Sequence, residues 1–443
     1  MKKDLTTGTP WKIVLLFALP IMAGNLLQQL YNTADTIIVG NFHSEGALSA
    51  VGTCAALTML FTALAIGFST GAGVYLAQKY GARRMDELRV GVSTAICIML
   101  AMGAAAAIVG AVFGRFILKY AIAVPESLLD MSITYFTIYS IGLVFQFGYN
   151  IVAAILRSIG DSRATLYFLL ISSVVNIILD LLFVAVFKWG VAGAAIATDI
   201  SQLCSCIAAF IYMHRKYELL RFTREEFVYR PHVAKNILSV GLPMAVQQVI
   251  VSCGFVFLQR LVNSYGESMT ASYTVGTRVE NYCLIPIIAF QNTMATYCGQ
   301  NKGAGRNDRI SKGIIQTVIM SVIITLVLSA AVYAAKAPII RFFGISGQAY
   351  EYCLQHLGFM CFAFVLFAVY FPGNGMLQGV GEGVWATLCA LTALGSRVLF
   401  AYALNGAVGY RMIWYSMAMS WALACIVCYG HIFTGRWKRV SPR

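Results

Sequence analysis

The chain has 443 residues, of which 59% are hydrophobic and only 11% charged, whereas water-soluble domains carry about 25% charged residues. So few charges cannot cover so much apolar surface in water, which excludes soluble enzymes, disordered chains and nucleic-acid readers. The 39 glycines follow no period and the 12 cysteines are dilute, so a collagen or a disulfide scaffold is excluded too. What remains is a polytopic membrane protein. A net charge of +14 fits the accumulation of Lys and Arg on the cytoplasmic side of a bilayer.

A spanning helix needs about 20 mostly apolar residues. Twelve such stretches begin near Trp11, Gly46, Leu88, Leu128, Ala164, Val191, Asn236, Met269, Ile310, Tyr350, Val384 and Arg411. Lys2, Lys3 and the run Ile13 to Leu19 imitate a signal peptide, but no small-residue cleavage site follows and Pro20 interrupts an apolar segment that continues. With the N-terminus inside, the basic clusters Lys79–Arg89, Arg215–Lys235, Lys302–Lys312 and Arg436–Arg443 all fall on the inner side. The outer loops hold only Arg115, Lys119, Lys188, Lys336, Arg341 and Arg411. That asymmetry predicts a multi-pass protein of the cell membrane with both termini in the cytoplasm.

In the first span, Asn25, Gln28, Gln29, Asn32, Asp35 and Thr36 fall within roughly a 120° arc of one helix face. Six polar groups cannot face lipid, so this face is expected to line a polar cavity. In the second span, Gly67-Phe68-Ser69-Thr70-Gly71 mimics the elbow of serine hydrolases. It lies inside a hydrophobic helix rather than at a strand-to-helix turn, so it reads as small residues for close helix packing. In the fifth span Asn176 and Asp180 stand one turn apart. In the sixth, Thr198, Ser201, Gln202 and Ser205 form a polar stripe from which Asp199 points away, and its role stays open.

The second half repeats the first. Gln78-Lys79-Tyr80-Gly81-Ala82-Arg83-Arg84-Met85-Asp86 returns 222 positions later as Gln300-Asn301-Lys302-Gly303-Ala304-Gly305-Arg306-Asn307-Asp308. Leu19-Pro20 returns as Leu242-Pro243, and Leu156, Gly160 and Asp161 return as Leu377, Gly381 and Glu382. The expected fold is an all-α membrane protein with twelve transmembrane helices in two six-helix lobes, related by a pseudo-two-fold axis along the membrane normal. The expected division is an N-lobe (1–214), a cytoplasmic linker (215–235), a C-lobe (236–434) and a basic tail (435–443). Rocking of such lobes about a site near the midplane gives alternating access.

An acid within a span is a functional-site hypothesis by default. At the repeat offsets Asp35 is matched by Leu258, Asp180 by Ala401 and Asn176 by Arg397. The acid cluster therefore exists in the N-lobe alone, which suggests a dedicated ion site there. The C-lobe differs: Glu280 shares a helix face with Tyr273, Thr277 and Gln291, and Gln248, Ser252, Gln259 and Asn263 stripe the seventh span. Phe359, Phe362, Phe364, Phe367, Tyr370 and Phe371 crowd the tenth. A carboxylate among aromatic walls suits a lipophilic cation. The expected substrate cavity comprises Asn25, Gln28, Gln29, Asn32, Gln248, Tyr273, Glu280 and Gln291.

Cys425 and Cys428 lie in an apolar span without a partner pair, and no P-loop is present, so neither zinc chemistry nor ATP drive is expected. No paired His, Ser–His or metal constellation occurs at membrane depth, so the chain is not expected to be an enzyme or to hold a cofactor.

The Leu-Pro entry of each lobe, the stretch Tyr31-Asn32-Thr33-Ala34-Asp35, the twin Gln-x-x-Gly-Ala loops and Asn176-x-x-x-Asp180 together resemble the multidrug and toxic compound extrusion (MATE) family over nearly the whole chain. The resemblance implies an antiporter that expels organic cations in exchange for H⁺ or Na⁺. It implies a cation-coupling site at Asp35, Asn176, Asp180 and Thr198, where Na⁺ or a proton would bind. One branch of the family also carries acids in its seventh and tenth spans, and this chain has none well inside either. The expected partners are small-molecule substrates and membrane lipids, with no nucleic acid, and the expected state is a monomer in a bacterial membrane. The alternative is a lipid-linked oligosaccharide flippase of related architecture. It would need a cationic cavity for pyrophosphate, for which Arg397 is the candidate against the acids.

Overall fold

The computed structural model describes residues 4–42, 45–122, 124–223 and 226–440. It contains twelve long helices: α1 (Pro10–Phe42), α2 (Glu45–Gly81), α3 (Met85–Phe116), α4 (Glu126–Ser158), α5 (Arg163–Asp180) and α6 (Gly190–Lys216), followed by α7 (Pro231–Asn263), α8 (Glu267–Gly303), α9 (Asn307–Phe342), α10 (Gly347–Gly379), α11 (Gly383–Ala403) and α12 (Met412–Phe433). Each begins within about one and a half turns of the start expected from hydropathy. Eleven are long and apolar enough to cross a membrane. The exception is α8, whose 37 residues include Arg278, Glu280, Asn281 and Gln291. No strand occurs among the described residues.

Two of the three repeated sequence motifs are helix stops. At the end of α2, Arg84 N–H donates to Lys79 O (3.1 Å) and Arg83 N–H to Tyr80 O (3.1 Å). At the end of α8, Arg306 N–H donates to Asn301 O (2.8 Å) and Gly305 N–H to Lys302 O (3.1 Å). The same pair of bonds closes α4 at Gly160 and Asp161, and α10 at Gly381 and Glu382. All four are Schellman caps, which need one residue in the left-handed region to turn the chain back onto its last carbonyls. Gly160, Gly305 and Gly381 take it with φ of 92°, 71° and 91°, whereas Arg83 takes it with φ of 57° and a side chain.

Contacts divide the chain into two compact units. One runs from Ala23 to Ala245; the other joins Asp4–Met22 to the chain from Val246 onward. The division thus does not follow the polar linker at 215–235. It cuts α1 and α7 a couple of residues beyond Pro20 and Pro243, which stand inside those helices, where proline removes a backbone hydrogen bond and weakens helix continuity.

The physical reason is side-chain burial. Val14, Phe17, Ala18 and Ile21 of α1 join the core of the second unit around Phe290, Tyr297, Phe364 and Tyr370. Val233, Ile237 and Ala245 of α7 join that of the first, around Tyr75, Leu88, Met99, Phe147 and Ile151. In the first unit α2 meets α7 backbone to backbone. A Cβ on Gly67 would lie 2.3 Å from Ala245 Cα, and one on Gly71 2.3 Å from Gly241 Cα. The serine-hydrolase look-alike is therefore a helix-packing seam, as its small residues suggest.

Each unit also grips the segment that leads into the helix start it takes in. In the second, Gln300 Oε1 accepts from Leu5 N–H (3.0 Å), Asn301 Nδ2 donates to Leu5 O (3.2 Å), and Arg309 donates to Gly8 O (2.8 Å) and Thr7 O (3.3 Å). In the first, Ser93 Oγ donates to Val228 O (2.7 Å), Arg89 donates to Arg221 O (2.9 Å), and Arg89 pairs with Glu226 (2.8 Å).

Candidate functional site

Asn176 and Asp180 are fully buried in the first unit. Asp180 is the last α-helical residue of α5, immediately before the π-helical turn Leu181–Val186. Such turns widen the backbone spiral and are frequent at functional sites. Ile177 and Val184 pack on Ala194 of α6, which holds the two helices together around the turn. One turn further along α6, Thr198 Oγ1 donates to Ala194 O (3.0 Å). The fold thus sets Asn176, Asp180 and Thr198 on neighbouring helices of one unit. The side chains of Asn32 and Asp35 lie outside the described residues. Of the same α1 stripe, Asn25 and Gln29 are half-buried and Gln28 is exposed. A Cβ on Gly24 would lie 2.9 Å from Leu169 Cδ1 of α5, so α1 beyond Pro20 runs close to α5.

Asp199 occupies a different place. A Cβ on Gly142 of α4 would sit 1.9 Å from its Oδ1, so only glycine leaves room for the carboxylate there. Nearby, Gln146 Nε2 donates to Thr62 Oγ1 (3.0 Å), joining α4 to α2.

In the second unit Tyr273 and Glu280 are buried rather than half-open. Arg397, 5% exposed, faces both and also faces His356. The rings of Tyr273, His356 and Trp414 stack, with His356 and Trp414 centroids 4.2 Å apart. Arg397 thus lies within electrostatic reach of Glu280 inside the unit, at the repeat position that Asn176 holds in the first half. On this repeated helix one unit carries an acid, Asp180, and the other a base, Arg397.

Gln291 belongs to an amide network that sequence patterning did not anticipate. Asn374 Oδ1 accepts from Gln291 Nε2 (3.0 Å), Gln378 Nε2 (2.9 Å) and Gln247 Nε2 (3.2 Å). Asn374 Nδ2 in turn donates to Tyr370 OH (3.1 Å) and Ala386 O (2.9 Å). The i, i+4 spacing of Tyr370, Asn374 and Gln378 was the available signal, hidden by the surrounding phenylalanines. Gln248, the neighbour of Gln247, is half-buried.

Twelve long helices in two units, eleven of them long and apolar enough to cross a membrane, define a polytopic membrane protein. The MatE family model matches residues 20–182 and 243–403, and the chain belongs to that family. It is 26% identical to the probable multidrug resistance protein YpnP of Bacillus subtilis (strain 168), covering 99% of this chain and 98% of that protein. It is 24% identical to the multidrug export protein MepA of Staphylococcus aureus, covering 94% and 92%. Among solved structures it is similar to an outward-facing multidrug resistance MATE family transporter of the MOP superfamily, with a TM-score of 0.93, 24% identity and 99% of each chain covered. It is also similar to a MOP superfamily transporter from Pyrococcus furiosus, with a TM-score of 0.92, 24% identity and coverage of 99% and 98%.

Proposed function

We propose that this chain is a secondary active antiporter that exports lipophilic, mostly cationic organic compounds in exchange for H⁺ or Na⁺. Family membership over both halves carries the reading, and the relatives named for multidrug resistance and multidrug export support it. Asp35, Asn176, Asp180 and Thr198 form the coupling site in this reading, and Tyr273, Glu280, Gln248 and Gln291 contribute to substrate recognition with Asn25, Gln28, Gln29 and Asn32. The protein works as a monomer in the cell membrane, with both termini in the cytoplasm. The flippase alternative loses support, because the relatives are named for multidrug resistance and multidrug export and Arg397 is buried inside one unit.

An antiporter works because ion and substrate favour different states, and each shifts the equilibrium only by its differential affinity. Asp180→Asn and Asp35→Asn keep shape and polarity while removing the titratable charge. Both variants are expected to bind a fluorescent lipophilic cation normally yet to lose uphill export in liposomes, by tenfold or more. Full gradient-driven export by both variants would remove the coupling site from these residues. Imposing a Na⁺ gradient without a pH gradient, and the converse, separates the two coupling ions.

A further inference from the structure

On the second unit an apolar groove of about 400 Å³ runs between α9, α12 and the turn Arg436–Arg439 that follows α12. Ile315, Ile319 and Phe433 form its rim, and they are 61%, 53% and 84% exposed. Met376 of α10 lies deeper along it. From Ser311 to Ile319 the groove follows roughly 12 Å of helix axis. Exposed apolar side chains on a spanning helix meet hydrocarbon, so this groove opens to lipid tails rather than to water.

One end of the groove is basic. Lys438 lines it beside Ser311, Lys312 is the next residue of α9, and Arg436 and Arg439 flank Lys438 in the turn; all four are exposed. None of the four forms an ion pair among the described residues. The turn itself is pinned. Lys302 Nζ, buried, donates to Trp437 O (2.9 Å) and Lys438 O (3.0 Å), and the buried Trp437 indole N–H donates to Ile432 O (3.1 Å). Lys302 thereby holds the backbone on which Lys438 is mounted, so the charge is presented at a fixed place at the mouth of an apolar slot.

We propose that this groove is a binding site for one anionic phospholipid. One acyl chain lies along Ile315 and Ile319 and the headgroup phosphate sits against Lys438 and Lys312. Charge complementarity commits the site to an anionic lipid: Lys438 lines the groove, Lys312, Arg436 and Arg439 each adjoin a lining residue in sequence, and a zwitterionic lipid brings a phosphate already balanced by its own cation. Lys312 and Lys438 belong to the basic clusters that the charge asymmetry assigns to the inner side, so the lipid comes from the cytoplasmic leaflet, whose negative surface potential attracts such clusters.

Native mass spectrometry of the full chain, released from nanodiscs holding phosphatidylglycerol and phosphatidylcholine of matched chains, tests the assignment. The parent protein is expected to retain one phosphatidylglycerol in preference to phosphatidylcholine. Lys438→Gln and Lys312→Gln should each cut that preference about fivefold. Ile319→Trp, which fills the slot, should lower retention of both lipids while leaving the melting temperature within a degree or two. No headgroup preference in the parent, or an unchanged preference in both lysine variants, would overturn the site. The readout is lipid retention rather than transport, so its failure and that of the antiport reading are distinguishable.

Discussion

Asp161 shows how one repeated residue is used at the end of a span. Its Oδ2 accepts from Tyr217 OH (2.6 Å), Tyr212 OH (2.8 Å) and Lys216 Nζ (3.2 Å), and its Oδ1 accepts from Ala164 N–H (3.2 Å) at the start of α5. Burial pushes the carboxyl up, but the hydrogen bonds from Tyr217, Tyr212 and Lys216 outweigh it and hold the group below the usual carboxylate range. Burial and then the hydrogen bond to Asp161 push the Tyr217 phenol up in return. A carboxyl depressed on folding contributes stability that is complete above the ordinary Asp value of about 3.9 and is lost as pH falls through the lower folded value. Asp161→Asn is therefore expected to cost about 1–3 kcal/mol at pH 7, and to flatten the acid side of a stability–pH profile measured by thermal unfolding in detergent. An acid limb identical to the parent's would assign the acid sensitivity to other groups. The counterpart Glu382 bonds His431 instead. The repeat made both acids visible in the sequence; their partners, some 50 positions on in each half, were not.

At the scale of the helix, the stops and the leading segments belong together. The Gln-x-x-Gly-Ala motif ends α8 with Gly305 in the left-handed region, and the same stretch turns Gln300, Asn301 and, through α9, Arg309 onto the backbone of Leu5 to Gly8. Arg309 Nε donates to Asn301 Oδ1 (3.0 Å), which fixes the guanidinium before it reaches the strand of carbonyls. Removing it leaves those carbonyls to water, at about 1–2 kcal/mol for the charged hydrogen bonds lost. Arg309→Ala is expected to speed amide exchange in residues 5–8 about tenfold while the interior of α8 stays protected. Unchanged exchange at these positions would mean that the core contacts of α1 alone hold the segment.

Across the whole molecule, the exchange of α1 and α7 starts makes the two halves of the sequence poor independent pieces. Residues up to the linker lack the α7 start that buries Val233, Ile237 and Ala245 against α2. Residues beyond it lack Val14, Phe17 and Ile21 of α1. Expressed separately, the fragments 1–223 and 224–443 are expected to aggregate or be degraded, because each exposes the site of a missing helix start. Co-expressed, they are expected to co-purify, since the cut falls in a polar connection rather than in a core. A monodisperse, heat-resistant single fragment would show that the exchanged segments are dispensable.

The sequence by itself determined the class, the number and placement of the spans, the duplication and the buried acid of α5. Each of these rests on local physics: twenty apolar residues make a span, a left-handed glycine stops a helix, and a charge at membrane depth stands out against hydrocarbon. It also made Gly67 and Gly71 readable as a packing seam, though not their partner. Only the tertiary structure decided that the units exchange segments at Pro20 and Pro243, that Arg397 is buried near Glu280, and that Asn374 gathers three glutamines. Those outcomes depend on which helix faces meet across hundreds of residues, and periodicity along one helix carries no information about the face opposite.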